Sequence, residues 1–306
     1  MEKIKAIFRD PIQTKTFLNG IKKICLTLVK IAILVGVGYV ILSPVIGMIV
    51  NSISSTKDAY NPMVFVLPES PTMERYALAW ERMDYLPTIG RDLLYTLSIT
   101  ALQLLICSMV GYGFARFDFP FKKLLFGCVV IMIVIPTHTI MLPLYMTFKS
   151  VNLMGTVIPM YIMTLLGCGV RSGLYIYIFN QFFRGLPKEI EEAALVDGAG
   201  VWYTYFKIML VNAMPSVITV TVFSMVWQFN DTFYAKLFLI SEDIVISKKI
   251  STLQAVIANV DKILDVTVQE LYLDAGVILI ILPILIIYLV LQKYFIEGVE
   301  RSGIVG

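Results

Sequence analysis

Histidine is nearly missing from this chain: His138 is the single one in 306 residues. A cluster of histidine metal ligands is therefore excluded, and so is a histidine pair for proton transfer. Four cysteines, Cys25, Cys107, Cys128 and Cys168, lie within or beside apolar stretches, without CxxC spacing or a histidine neighbour. They read as free thiols acting as small hydrophobes, not as a redox or zinc site. No GxxxxGK[ST] sequence occurs, so the chain is not expected to cradle ATP phosphates. Charge is scarce as well, with Asp, Glu, Lys and Arg forming 15% of residues, against about 25% in ordinary soluble domains. No cofactor is expected in this chain. A membrane enzyme, which needs convergent catalytic groups, is disfavoured because no carboxylate cluster lies within the apolar stretches.

What is abundant is hydrophobic: 58% of the residues. They fall in runs long enough to cross hydrocarbon, which takes about 20 residues of helix. Six runs qualify: Ile31–Val50, Leu93–Ala115, Leu124–Phe148, a fourth from near Val151 or Thr156 to just before Arg184, Ile208–Asn230, and Ala275–Gln292. Arg171 interrupts the fourth. Lipid offers the backbone no partners, so such runs must be helices or closed barrels. Continuous apolar character, without period-two alternation, selects helices. The expected fold is all-α: a polytopic membrane protein with six transmembrane helices.

Lysine and arginine placement gives orientation. Lys3, Lys5, Arg9, Lys15, Lys22, Lys23 and Lys30 precede the first run. Arg116, Lys122 and Lys123 fill the second connection, and Arg184, Lys188 and Lys207 the fourth. The external loops, about 51–92 and 241–270, carry theirs more thinly along longer segments. Both termini are expected in the cytoplasm, with residues 1–30 a basic cytoplasmic segment and 31–306 the transmembrane domain. The first run is too long for a cleaved signal and no small-residue cleavage site follows it directly, so it reads as a retained helix. The net charge of +3 follows from topology, and no nucleic-acid partner is implied.

The connection at about 184–207 breaks two apolar runs with charge. Pro187 suits a helix start, and Glu189, Glu191 and Glu192 favour the positive end of the helix dipole. Ile190, Ala193, Ala194 and Asp197 recur on one face, and Gly198 is placed to end the helix. Alanine on that face permits close approach by another surface. Trp202, Tyr203, Tyr205 and Phe206 then suit the membrane–water boundary. On residue chemistry alone, an ordinary interfacial helix pair joining two spans is an equal alternative.

Glu192-Ala193-Ala194, Gly198, Ile208 and Leu210 fall at the positions of the EAA loop of ABC importer permeases. Val211 stands where those permeases have proline, and Pro215 follows, so the fifth helix is expected to begin with a gentler bend. Gly111-Tyr112-Gly113-Phe114-Ala115-Arg116-Phe117 with Lys122-Lys123, Ile135-Pro136 through Tyr145, and Asn180 to Pro187 resemble the corresponding segments of MalG-type sugar-importer permeases. Trp227-Gln228-Phe229-Asn230-Asp231 is similar to their Trp-Asn-Asp segment with two residues inserted, and Gln292 to Phe295 with Gly298 matches their carboxyl end.

The resemblance implies a type I ABC importer (MetI-like) permease fold in a bacterial cytoplasmic membrane. It implies a MalF-like second permease, two ABC ATPase subunits that bind ATP and Mg, and an extracellular sugar-binding protein. Glu192, Ala193, Ala194, Asp197 and Gly198 are then the ATPase-coupling residues. The external loop at 241–270, with Gln254 and Asn259, can reach the binding protein. Polar groups in the spans are costly in hydrocarbon, which makes Arg171, Asp231, Asn230, His138, Gln228 and Gln103 candidates for the translocation path. Trp227, Tyr175 and Tyr177 are candidate platforms for a sugar face. For Gln103 and His138 a helix-packing role weighs more, and pairing of Arg171 with Asp231 stays open. The alternative function is secondary transport of a small polar solute, against which stand the specific loop and the lack of a duplicated half.

Overall fold

The computed structural model describes residues 11–61, 67–239 and 244–303. Lys3, Lys5 and Arg9, named above, lie outside them, as do parts of the two expected external loops, residues 62–66 and 241–243. Every regular element among the described residues is helical. The chain divides into two compact units, Met1–Met73 and Glu74–Gly306.

In the first unit, α1 runs from Pro11 to Ile53, and the most apolar 18-residue window of its stretch Lys22–Ile53 is not buried by the chain. A helix apolar on every face belongs in lipid or against another subunit. The expected boundary at residues 30 and 31 falls inside this helix. Ser55 then caps the one-turn helix α2, Thr56–Ala59, in a capping box with Asp58. Asp58 Oδ2 also accepts from the Ser70 amide at 3.1 Å. Burial works against this carboxylate. The Ser55 side chain and the amides of Ser55, Ser70 and Glu69 outweigh it and hold the group below its ordinary value.

The second unit starts with α3, Glu74–Arg82, and the long α4, Tyr85–Arg116. α4 begins eight residues ahead of the expected span at Leu93, because a helix continues beyond hydrocarbon wherever its backbone bonds can. The third run is not one helix. α5, Lys122–Val134, is followed by a 3-10 turn, Thr137–Ile140, and α6, Met141–Ser150, with a bend of 106°. Pro136 causes the break: it lacks an N–H and forces Ile135 to extended geometry, φ −61° and ψ 123°.

The fourth run also departs from expectation, dividing into α7, Ile158–Leu165, and α8, Ser172–Gly185. Gly167 and Arg171 take positive φ between them, +71° and +57°. Non-helical backbone inside a membrane needs protein partners. Gln103 supplies one, donating to the Val170 carbonyl at 2.8 Å, and the Gln103 amide also bonds the Ser224 hydroxyl. Gln103 is thus a packing residue, as its chemistry favoured.

After α9, Glu189–Val196, a helical segment α10, Val201–Asn212, carries a π-helical stretch at Thr204–Met209. It meets α11, Met214–Phe229, at 78°. The gentler bend expected from Val211 is not found. The break moves to Ala213, just before Pro215 in the first turn of α11, where proline is tolerated.

Short α12, Phe233–Phe238, precedes α13, Ile246–Asn259, so the expected external loop at 241–270 is largely helix. α14, Val266–Gly303, contains the sixth run and extends past both its ends. Arg82 grips Asp261 at 2.6 Å, joining α3 to the segment after α13. Among the described residues three helices, α1, α4 and α14, have the length and apolarity to cross a membrane, and up to five spans result if each bent pair counts as one.

Aromatic and aliphatic side chains fill the interior. Near α9 the core holds Tyr112, Phe179, Phe183, Tyr205 and Met209. At the other end Met83, Ile89, Phe229, Ile246, Leu253 and Tyr272 pack together. Among the cysteines only Cys107 is buried, while Cys25 on α1, Cys128 on α5 and Cys168 in the break between α7 and α8 are exposed free thiols.

Candidate functional site

α9 is short and acidic at its start, with Glu189, Glu191 and Glu192 in the first turn. Its end is built as a Schellman motif. The Ala199 amide donates to the Ala194 carbonyl at 2.9 Å and the Gly198 amide to Leu195 at 3.0 Å. Gly198 occupies the left-handed position at φ +80°, where a side chain costs about 1–2 kcal/mol. The expected termination at Gly198 therefore has its full geometry.

The faces of α9 are distributed differently from the sequence expectation. Ala194 is buried and Ile190 packs against the aromatic core, whereas Glu192, Ala193, Leu195, Val196 and Asp197 face outward. Two large apolar side chains, Leu195 at 58% and Val196 at 87% exposure, stand on that outer face. Exposed apolar groups beside acidic ones on a positioned helix make a surface suited to a protein partner. A cavity of about 570 Å³ adjoins it, bordered by Asp197, Gly198, Tyr203 and Lys207.

The inner side of α9 is anchored by charge. Glu191 Oε2 lies 3.0 Å from Arg116 Nε, with 16% and 6% of these side chains exposed. Tyr112 donates its hydroxyl to Glu191 Oε1 at 2.6 Å. Arg116 Nη2 donates to the Leu186 carbonyl at 2.8 Å, fixing the chain as it approaches α9. The Ser108 and Tyr205 hydroxyls, 2.6 Å apart, tie α10 to α4 in the same way. The C-terminal turns of α4 thus hold both helices of the loop.

Sequence reading missed this anchor. Arg116 stood out as a topology charge and as part of the Gly111–Phe117 resemblance, and Glu191 as one of three first-turn carboxylates. Their one sequence signal is position: Arg116 ends a 32-residue helix that otherwise carries charge only at Arg91 and Asp92. Of the loop aromatics, Trp202, Tyr203 and Phe206 are exposed as a boundary role requires, and Tyr205 is buried.

The path candidates do not form one cluster. Arg171 is exposed and its guanidinium lies 4.2 Å from the Trp227 ring centroid, a cation–π contact. Asp231 instead accepts from the Tyr234 and Ala235 amides, both at 3.2 Å, at the start of α12. No ion pair joins Arg171 to Asp231 among the described residues. Gln228 is buried with its Oε1 lacking a partner, and Asn230 is exposed, donating to the Val226 carbonyl at 2.9 Å. His138 is exposed in the 3-10 turn with its ring edge-on to Phe233 at 4.8 Å. Tyr175 has no exposed surface, which removes it as a sugar platform, and Tyr177 stacks on Phe126 at 6.2 Å. Asp92 was overlooked: fully buried, it accepts from the Ile246 amide at 2.9 Å and holds α13 on α4.

The arabinooligosaccharide transport permease AraQ of Halalkalibacterium halodurans is 27% identical over 274 residues, covering 88% of this chain and 93% of that protein. The melibiose/raffinose/stachyose import permease MelC of Bacillus subtilis is 28% identical over 249 residues, covering 79% and 84%. The crystal structure of a bacterial ABC transporter that imports the acidic polysaccharide alginate contains a chain of the same fold, with TM-score 0.75 and 20% identity, over 90% of this chain and 98% of that one. Residues 104–301 match the binding-protein-dependent transport system inner membrane component family. The chain belongs to that family, as the multi-pass membrane permease of an ABC importer and not its ATPase.

Proposed function

We propose that this chain is one half of the transmembrane path of an ABC importer for a di- or oligosaccharide, with α9 as its coupling helix. The observation that carries the coupling role is the pairing of a part-buried anchor with an outward face. Glu191 is held by Arg116 and Tyr112 on α4, while Glu192, Ala193, Val196 and Asp197 remain exposed. A push on that face is delivered to a 32-residue helix through an ion pair and hydrogen bonds, not through a soft loop. The relatives named for arabinooligosaccharides and for melibiose, raffinose and stachyose support an oligosaccharide cargo.

In this reading six crossings are completed by α1, α4, the two bent pairs, α7 with α8, and α14, and both termini are cytoplasmic. A MalF-like permease supplies the other half of the path. Two ATPase subunits bind below, one on each coupling helix, and an extracellular binding protein delivers sugar on the side of α3 and α13. ATP-driven closure favours the outward-facing state only by the difference in its affinity for the two states. Arg171 and Trp227 line the path, whereas Gln103 and Tyr175 support it from within.

The test is purification of the importer through this subunit. ATPase co-purification, with ATP-dependent uptake of the sugar that the neighbouring binding protein selects from an oligosaccharide panel, is expected. A fully active transporter isolated without an ATPase would overturn the reading.

A further inference from the structure

Beside the coupling helix, at the same end of the bundle, α4 ends at Arg116, α5 begins at Lys122 and α8 ends at Gly185. Between these helix ends lies a second cavity of about 550 Å³. Its lining carries Lys122, Lys123, Arg184 and Lys188 but only one carboxylate, Asp118. Asp118 pairs with Lys122 at 3.0 Å, and the fifth cation of the lining, Arg116, is committed to Glu191. Lys123, Arg184 and Lys188 have no ion-pair partner among the described residues and are exposed.

Two further features give this cavity a chemical preference. Asn180, on its wall, is 2% exposed and its Oδ1 has no hydrogen-bond partner, so a buried acceptor awaits a donor. Exposed apolar side chains neighbour the lining residues Lys122 and Lys123 in the chain: Phe121, Leu124 and Leu125, on and before the first turn of α5, are 75%, 66% and 46% exposed. Three uncompensated cations, a hydroxyl-seeking acceptor and exposed apolar side chains on the first turn of α5 match one kind of molecule.

We propose that the cavity between α4, α5 and α8 binds the headgroup of an anionic phospholipid bearing free hydroxyls. Lys123, Arg184 and Lys188 take the phosphodiester, Asn180 Oδ1 accepts from a headgroup hydroxyl, and the acyl chains lie along Leu124 and Leu125. Basic pockets between helices at a membrane surface hold such lipids, each cation contributing about 1 kcal/mol. The site would tether the bundle to the leaflet beside the coupling helix, since Arg184 and Lys188 flank Leu186, which Arg116 grips. It depends on the membrane setting and not on the identity of the transported solute.

The experiment is native mass spectrometry of the full chain in detergent, titrated separately with dioleoyl phosphatidylglycerol, dioleoyl phosphatidylcholine and inorganic phosphate. Phosphatidylglycerol is expected to bind preferentially. The variant Lys123→Gln/Arg184→Gln/Lys188→Gln is expected to bind it about a hundredfold more weakly, or about fivefold per cation. Lys123→Arg/Arg184→Lys/Lys188→Arg should keep binding, and so should Lys22→Gln/Lys23→Gln/Lys30→Gln. Should the triple glutamine variant not fold, Lys123→Gln alone carries the test with its fivefold loss. Equal binding of the two lipids would overturn the proposal, and so would equal losses in the two glutamine triples. Displacement by inorganic phosphate at the lipid concentration would make this a free-anion site instead. Loss of bound lipid when the ATPase subunits are added would assign the cavity to the protein interface and overturn it as well.

Discussion

Arg116 and Glu191 form a part-buried ion pair at 3.0 Å that binds the end of α4 to the inner face of α9. Removing one partner of such a pair strands the other's charge and costs about 3–5 kcal/mol. Glu191→Ala and Arg116→Ala should therefore each lower the melting temperature of the detergent-purified complex. The double variant should fall short of the sum, because the two changes remove one interaction. Additive losses in a double-mutant cycle would mean that the pair carries no coupling energy.

Gly198 separates backbone from charge. A Cβ there meets nothing within 4 Å, so the left-handed φ is the only obstacle to substitution. Gly198→Ala should cost about 1–2 kcal/mol locally. Asn and Asp both tolerate this conformation better than alanine. Gly198→Asn is thus expected to keep most uptake and Gly198→Asp to abolish it, with both variants present in the membrane by immunoblot. Equal uptake by the two would remove the docking face from Gly198.

Gly111 sets the approach of α4 to α8. A Cβ there would lie 2.6 Å from Phe179 Cβ and 3.0 Å from the Asn180 amide nitrogen, in a fully buried layer. Gly111→Ala should destabilise by about 1–3 kcal/mol through overpacking. Gly113→Ala, with nothing within 4 Å, should be neutral or mildly stabilising. Thermal unfolding of the two variants side by side checks the contrast.

Acid should loosen the segment after α1. The Asp58 carboxyl is held below its ordinary value by Ser55, Ser70 and Glu69 against the opposing effect of burial. A depressed carboxylate contributes stability that is complete above the unfolded value of about 3.9 and is lost as pH falls through the lower folded value. Amide exchange at Ser70, corrected for its intrinsic pH dependence, should become faster in that range. Asp58→Asn should show the faster exchange already at neutral pH. Identical protection in wild type and Asp58→Asn would refute the assignment.

Much of the architecture was legible in composition and periodicity. Long apolar runs located α1, α4 and α14, and Glu189 to Gly198 described α9 almost to its ends, whereas the break at Pro136 lay unread inside the third run. Hydropathy could not reveal the division at Gly167 to Arg171, because the residues on both sides are apolar and a non-glycine residue carries one of the positive φ values. Nor could periodicity tell which face of α9 turns inward, since Ala193 and Ala194 are chemically identical. Ile190 and the Arg116–Glu191 pair decide it. The path candidates were chosen by the cost of burying polarity, and that cost is met locally for Gln103 and Asp231. Only Arg171 and Trp227 remain as a joined, exposed pair.

The most direct test of the coupling role is photo-cross-linking from residue 196 in the assembled importer. Val196 is 87% exposed on the outer face of α9, and Leu264, 77% exposed between α13 and α14, serves as the control. A photoreactive residue at 196 is predicted to capture an ATPase subunit as its main product, in a yield that changes with Mg-ATP, while one at 264 captures none. No ATPase adduct from 196, in an importer that transports at its full rate, would contradict α9 as the coupling helix.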